Sequence, residues 1–467
     1  MALIARASAH ETSVARWLPW LVALVGFTID IAAYWPGQMS FDSAYAWWQA
    51  RGGTSTDIVP PIFVWMWRLC DVFIDGPQLP FALHLALFWS GLALFAWALR
   101  LGAVASAVMM TLVAFAPVPW LLRGHVWTDV GLFSALTFGS GALAWAECRR
   151  QRRWLLPAVT ALVYAALLRH NALPALVPLL AWAAWLVLRA SHEHAKPAWS
   201  KIALTAALAC FALISANRLL EYSVDRHVPL WPSLAQFDLA AVSVATGVLL
   251  LPDFMVGPGL DTADLAQAFR GWSNTPMLAN TRHGMVDPFA KDYTPNQLLQ
   301  LRHAWLDAIV AHPHAWLAHR WQLSRALFGT HAPQWPHELV YVDDEIPYHD
   351  NPPIARNTGA LHTALMRAAA AWRSTPLLAA WPWLLVGVIA LPLAWRRRRL
   401  AGARHALILL ASAWLYALPL TLFAPAAELR YLGWPCVASL IALACAMGAP
   451  YASTADKLDP PSAEANS

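Results

Sequence analysis

Residues 78–122 read QLPFALHLALFWSGLALFAWALRLGAVASAVMMTLVAFAPVPWLL, a run in which Arg100 is the sole Asp, Glu, Lys or Arg. A helix needs about 20 mainly apolar residues to cross the hydrocarbon layer. This stretch holds two such lengths back to back, at 78–99 and 102–122. Working outward, further apolar lengths fall at 17–35, 129–146, 154–169, 171–189, 199–218, 376–395, 405–424 and 431–450. The runs are rich in Ala and Leu and show no alternation of apolar and polar residues, which argues against membrane strands. The expected fold is an all-α polytopic membrane protein with about ten transmembrane helices. Residues 61–74 (PIFVWMWRLCDVFI) are apolar but short and carry Arg68 and Asp71, so they read as an interfacial or re-entrant helix.

The whole chain agrees. Of 467 residues 59% are hydrophobic and 13% charged, 28 are Trp, and the mean hydropathy is +0.45. An ordinary soluble domain has about 25% charged residues, so a water-soluble enzyme and a disordered regulator are both excluded. The net charge of +5 and pI near 9.0 would suggest nucleic acid in a soluble protein. Here they report orientation. Lys and Arg collect beside spans on the cytoplasmic side, and the turns ECRRQRRW (147–154) and WRRRRLAGARH (395–405) are the most basic in the chain. Placing both in the cytoplasm also puts there the N-terminus, Arg100, the SHEHAKPAWSK turn and the C-terminal tail. Those segments hold 16 basic and 6 acidic residues, and the rest of the chain 16 basic and 21 acidic. No nucleic-acid partner is implied.

The expected layout is a cytoplasmic N-terminus (1–16), a transmembrane module (17–218) with a first outer loop at 36–60, an outer domain (219–375), three last spans (376–450) and a disordered cytoplasmic tail (451–467). The first span is too long for a removed signal peptide and lacks a small-residue cleavage site. The outer segment, with 14 acidic and 10 basic residues and most of the His, is expected to be mainly helical, with helical spacing at 261–270 and 297–328. The five cysteines form no CxxC pair, and Walker A, HExxH and GxSxG motifs are absent. Disulfide frameworks, cysteine zinc sites, ATP-driven transport, zinc proteolysis and serine hydrolysis lose their usual markers.

Ionisable residues gather at the outer ends of the spans, where polar groups tend to mark function. After Asp30, the chain runs WPGQMSFDSAYAWWQARGGTSTDIVPPIF; Pro36-Gly37 breaks the helix and Ser40 or Asp42 can cap a new one over 42–50, lying in the headgroup layer. Asp42 reads equally as a cap or as a reactive carboxylate, Asp57 as a turn residue, Asp30 as an interfacial one. Three further outer turns carry charge: Arg123-Gly-His125-Val-Trp-Thr-Asp129, Arg169-His170-Asn171 and Glu428-Leu-Arg430-Tyr431. The planar fork of Arg grips phosphate with parallel hydrogen bonds, and a carboxylate can serve as general base toward a hydroxyl. The bland alternative for each arginine is snorkelling to headgroups. Together, the turns suit a lipid phosphate substrate and a hydroxyl acceptor.

At this point the chain resembles the glycosyltransferase C superfamily, multispanning enzymes that take sugars from polyprenyl-phosphate carriers on the non-cytoplasmic face. PGQMSFDS follows the first span. DIVPP resembles the H/K-P-P-L element of aminoarabinose and protein-mannosyl transferases, WTDV their second-loop acid, RHN a basic turn, and ELRYLGWP the "RY" element opening a late span. HPHAWLAHRWQLSRALF (312–328) resembles the helix leading back to the membrane. Val59 departs from the pattern, standing where many relatives have His or Lys. The resemblance implies an inverting enzyme with Asp42 as catalytic base, Asp129 in support, and Arg169 and Arg430 on phosphate. Arg123, His125, Asp57, Asn171 and Tyr431 complete the expected substrate-binding set. The implied partners are a polyprenyl-phosphate sugar, membrane lipid and a glycan, lipid or protein acceptor, at a bacterial inner membrane with a periplasmic active site. A divalent metal (Mg or Mn) is a candidate cofactor. Asp343-Asp344-Glu345 with Asp350 offers oxygen ligands, read otherwise as a solvated turn. His312, His314 and His319 read as a helix start and polar face. Rival readings are a flippase or transporter of lipid-linked sugars, which would place charge deep in mid-span, and a non-catalytic envelope assembly protein.

Overall fold

The computed structural model describes residues 2–99, 101–191, 198–330 and 348–448, with side chains from residue 17 onward except at 170, 190 and 191. Arg100, most of the SHEHAKPAWSK turn, the run Asp343, Asp344, Glu345 and the tail 451–467 lie outside the described residues. The described chain is all-helical, without a strand. In order its helices are α1 (Ala2–Tyr34), α2 (Phe41–Ala50), α3 (Pro61–Asp71), α4 (Gln78–Ala98), α5 (Ala103–Ala114), α6 (Pro117–Arg123), α7 (Thr128–Arg149), α8 (Leu155–Leu168), α9 (Leu173–Ser191) and α10 (Trp199–Glu221). They continue with α11 (Trp231–Thr246), α12 (Thr262–Ala268), α13 (Thr275–Asn280), α14 (Pro295–Ala311), α15 (Pro313–Phe328), α16 (Ala360–Trp372), α17 (Trp381–Arg396), α18 (Ala401–Phe423) and α19 (Gly433–Met447).

Five helical segments among these are long and apolar enough to cross a membrane: Trp17–Tyr34, Gln78–Ala98, Trp199–Glu221, Ala401–Phe423 and Leu429–Met447. The pair α5 and α6 makes a sixth if taken as one span, bent by 68°. The sequence reading counted ten. The difference has physical causes in particular helices. At 1.5 Å per residue, the 14 residues of α8 and the 16 of α17 fall short of a full bilayer. α7 has the length, but it carries Asp129, Ser134, Thr137, Ser140 and Glu147, and the protein wraps it on nearly every side. Thr137 and Ser140 donate back to the carbonyls of Phe133 (2.7 Å) and Leu136 (2.5 Å), which satisfies them without leaving the helix.

α7 is the axis of the bundle, packed along α4 and α8 and touched by α19. Glycines let it approach α4: a Cβ at Gly91 would lie 2.6 Å from the backbone nitrogen of Phe138, and one at Gly141 would lie 2.5 Å from the Gly91 carbonyl oxygen. Small residues at such crossings supply packing where the hydrophobic effect gives none. The outer faces carry exposed apolar side chains, among them Leu21 and Leu24 of α1, Leu204, Leu208 and Phe211 of α10, and Val388 and Ile389 of α17. Water would penalise that belt, and lipid does not. At one end of α7, Glu147 accepts hydrogen bonds from Trp182 Nε1 (2.8 Å), Arg404 Nη2 (2.8 Å) and His405 Nε2 (2.9 Å), tying α7 to α9 and α18.

At the opposite end the long connections converge. The 3₁₀ turn Leu429–Leu432 leads into α19. α11, α14 and α15 pack together, with Asp238 of α11 fully buried beside Arg320 Nη2 at 2.5 Å and accepting from Trp305 and Trp316 Nε1, each at 3.0 Å. The expected helix over 297–328 is broken into α14 and α15 at His312-Pro313. His319 is buried 3.5 Å from Asp238 rather than lying on a polar face.

Candidate functional site

Two loops are stitched together before either helix they launch begins. Gly37, at φ 110°, turns the chain after α1, and Gln38 then pairs with the second loop. Its N–H donates to Gly124 O (2.8 Å) and its carbonyl accepts from Val126 N (3.1 Å). Ser40 stands at the N-cap of α2 and its Oγ accepts from Trp127 Nε1 (2.6 Å), while Ser43 Oγ donates to Val126 O (2.8 Å). Asp42 therefore rides in the first turn of α2 and Asp129 in the first turn of α7, on neighbouring supports. Helix N-termini favour negative charge at both places.

The turn before α19 and the end of α8 bring cations to them. Arg430 Nη1 donates to Asp42 Oδ2 and its Nε donates to Glu428 Oε2, and Nε is 3.8 Å from Asp129 Oδ2. Arg169 leaves α8 in extended backbone. Its Nη1 donates to Asp129 Oδ2 at 2.9 Å and its Nε to Asn171 Oδ1 at 3.4 Å. Both guanidiniums lie over the Tyr431 ring, at 5.1 Å for Arg169 and 5.6 Å for Arg430, and Arg430 is also 4.9 Å from the Trp127 ring. His125 stacks on Trp127 at 3.9 Å and donates through Nδ1 to the carbonyls of Leu121 and Leu122. The cluster opens at Asp42, whose side chain is 56% exposed against 14% for Arg430, 13% for Glu428 and 2% for Asp129.

The crowding of protein around the base of Asp42 opposes its ionisation even though its carboxyl reaches the open side, and the guanidiniums of Arg430 and Arg169 outweigh it, holding the carboxyl below its ordinary range. Glu428 goes the other way: burial pushes it up, with the charges of Asp42 and Asp129 adding to the effect and Arg430 opposing it. Burial brings His125 down to about 4, so the ring is neutral. One buried polar atom of this cluster, Asp129 Oδ1, has no hydrogen-bond partner among the described residues, and the buried Tyr416 hydroxyl lies beside Arg169 and Asn171. The arrangement offers an ionised carboxylate on the open side, backed by two guanidiniums that can receive an anion. Among the described residues, no three His, Cys, Asp or Glu side chains converge as a metal-binding group. The carboxylates here engage guanidiniums.

The structure thus brings together Asp42, Asp129, Arg169, Asn171, Arg430 and Tyr431, with His125 beneath them. It carries Arg123 elsewhere. That side chain is fully buried in an ion pair with Asp30, also fully buried, at 2.9 Å. Asp57 is engaged with the segment that follows α10, accepting from Val228 N (2.6 Å) and lying 3.2 Å from His227 Nδ1. Neighbouring Thr56 bridges Arg226. Glu428, Trp127 and Tyr416 belong to the cluster and had no role assigned from sequence. The turn ELRY and the motif HVWTD displayed the first two, whereas nothing in the apolar run LASAWLYALPL distinguishes Tyr416. Set against protein-family models, curated proteins and solved structures, the chain matches none.

Proposed function

We propose that the protein is an integral membrane glycosyltransferase that moves a sugar from a polyprenyl-phosphate carrier to the hydroxyl of a cell-envelope acceptor. The Asp42–Arg430 pair on the open side of the loop cluster is the observation that carries this reading. In this reading the chain is a multi-pass protein of the bacterial inner membrane, both termini are cytoplasmic, and the cluster faces the periplasm. Asp42 takes the proton from the acceptor hydroxyl as that oxygen forms its bond to the anomeric carbon from the face opposite the phosphate. The bond from that carbon to the phosphate oxygen breaks, its electron pair stays on the oxygen, and the configuration inverts. Arg169 and Arg430 stabilise the charge that grows on the phosphate, which is the larger catalytic contribution expected from fixed cations in a water-poor site. Asp129 orients both arginines. Protonation of Asp42 weakens its hold on Arg430 at the moment when the leaving phosphate needs that cation, so the two charge changes support each other.

The test is transfer of radiolabelled sugar from polyprenyl-phosphate donors to cell-envelope acceptors in membranes holding wild type or Asp42→Asn. Label moved by wild type and lost in the variant is expected. Equal transfer by both would remove Asp42 as the base, and no transfer by wild type with any donor would overturn the enzyme reading.

A further inference from the structure

Around the candidate site three carboxylates (Asp42, Asp129 and Glu428) surround two guanidiniums (Arg169 and Arg430). With all five ionised the cluster carries one net negative charge, an unusual balance for a place meant to receive phosphate. Two of the acids have evident tasks. Asp42 is on the open side, and Asp129 joins the two arginines. Glu428 contacts Arg430 alone, by Nε, from the less exposed side, and the Nη2 group of Arg430 has no hydrogen-bond partner among the described residues. An arginine anchored by Nε and Nη1 has its fork fixed in direction, with the Nη2 edge available to a second anion.

We propose that Glu428 is a positioning residue for Arg430 and that its charge speeds product release, a role that rests on the glycosyltransferase reading above. A sugar–phosphate–prenyl diester carries one negative charge. The prenyl monophosphate it becomes carries between one and two, since the second ionisation of a phosphate monoester lies near neutral pH. A third carboxylate around two cations therefore repels the product more than the donor. Charge-assisted hydrogen bonds are about twice as strong as neutral ones, so Glu428 also gives a firmer anchor than an amide would.

The experiment uses the full chain in phosphatidylcholine nanodiscs, with decaprenyl monophosphate as the binding probe, alongside steady-state transfer. Glu428→Gln keeps an acceptor for Arg430 Nε but removes the charge. Its expected signature is roughly tenfold tighter binding of decaprenyl monophosphate, a lower KM for donor, and a lower kcat with stronger product inhibition. Glu428→Asp retains the charge and is expected to hold wild-type affinity for the probe. A residue that merely fills space would not lower KM and kcat together while tightening product binding. If Glu428→Gln binds the probe as wild type does, or if both variants tighten equally, the role assigned to this charge is overturned while sugar transfer by wild type leaves the function standing. Wild type that neither binds the probe nor transfers sugar overturns both.

Discussion

Arg123 and Asp30 meet in a forked ion pair closed off from solvent, with Arg123 Nη2 at 2.9 and 3.2 Å from the two carboxylate oxygens and Nε at 3.1 Å from Oδ2. Trp89 Nε1 adds a third donor at 2.8 Å, Arg123 Nη1 donates to Ala114 O, and the guanidinium lies 4.4 Å from the Phe88 ring. Every polar atom of the pair has a use inside the protein. Removing one partner of such a pair leaves the other charge buried alone, at a cost of about 3–5 kcal/mol. Arg123→Gln is therefore expected to lower the unfolding temperature sharply. The double variant Asp30→Asn with Arg123→Gln should lose less than the two single changes added together. Thermal unfolding in detergent measures both. An Arg123→Gln protein of wild-type stability that had lost donor binding would instead favour the phosphate-contact role expected from its place in the RGHVWTD turn.

The Asp42–Arg430 pair makes a prediction about acid pH. Arg430 favours the ionised form of Asp42, against the burial that opposes it. The base form thus persists below the usual carboxylate range, and the acid limb of kcat/KM for wild type falls there. Arg430→Gln takes away the nearest cation, so the limb should move upward in pH, toward the ordinary carboxylate value. Asp42→Asn, with no base to titrate, should lose about 10²- to 10⁴-fold in kcat and show no acid limb in its residual rate. A pH–rate series on the three proteins decides it; an unmoved limb in Arg430→Gln would show that another group controls it.

Arg169 is held to Asp129 at 2.9 Å, and Asp129 is almost wholly buried. Hydrogen bonds to charged groups contribute about 1.5–3 kcal/mol, so losing the phosphate contact through Arg169→Gln should raise the donor KM roughly tenfold to a hundredfold. Arg169→Lys is expected to restore little, because an ammonium cannot donate to Asp129 and Asn171 as a fork does while also facing Tyr431. Donor titrations of the two variants measure this. Near-complete rescue by Lys would show that charge alone is needed.

Which parts of this were legible beforehand follows from the range over which each interaction acts. Apolar spans declare themselves within about 20 residues, and α4, α10 and α18 occupy nearly the predicted positions. α7 looks like any other span until its neighbours are known, because Ser, Thr and Gly read the same whether they face lipid or a packed helix. The outer acids and arginines were visible as residue types at span ends. Their pairing was not: Arg430 and Asp42 are 388 residues apart, and Arg123 and Asp30 are 93. Arg123 stood in the same kind of turn as Arg169, yet the sharp bend between α5 and α6 carries it back into the helices. No local pattern encodes that bend's direction. Tyr416 lay hidden for the converse reason, since a tyrosine on an apolar helix is indistinguishable from core until Arg169 is placed beside it.

The crossing of α4 and α7 gives the last expectation, connecting packing to the site. A Cβ at Gly91 would meet backbone atoms of α7, Phe138 N and Thr137 C, both at 2.6 Å, and backbone cannot rotate out of the way as a side chain could. Gly91→Ala must therefore part the two helices by a fraction of an ångström. Overpacking of this kind costs about 1–3 kcal/mol, more than the roughly 0.5–1 kcal/mol that Ala gains over Gly within a helix. α7 carries Asp129 at its first turn, so the displacement should also disturb the contacts that Asp129 makes with Arg169 and Arg430. The expected result is a lower unfolding temperature together with a reduced kcat. Gly102→Ala is the control, because a Cβ there meets nothing within 4 Å; as the N-cap of α5 it should lose only the modest preference for Gly over Ala at that position and leave kcat nearly unchanged. If Gly91→Ala matched that control, the close approach of α4 and α7 would have no bearing on stability or on the placement of Asp129.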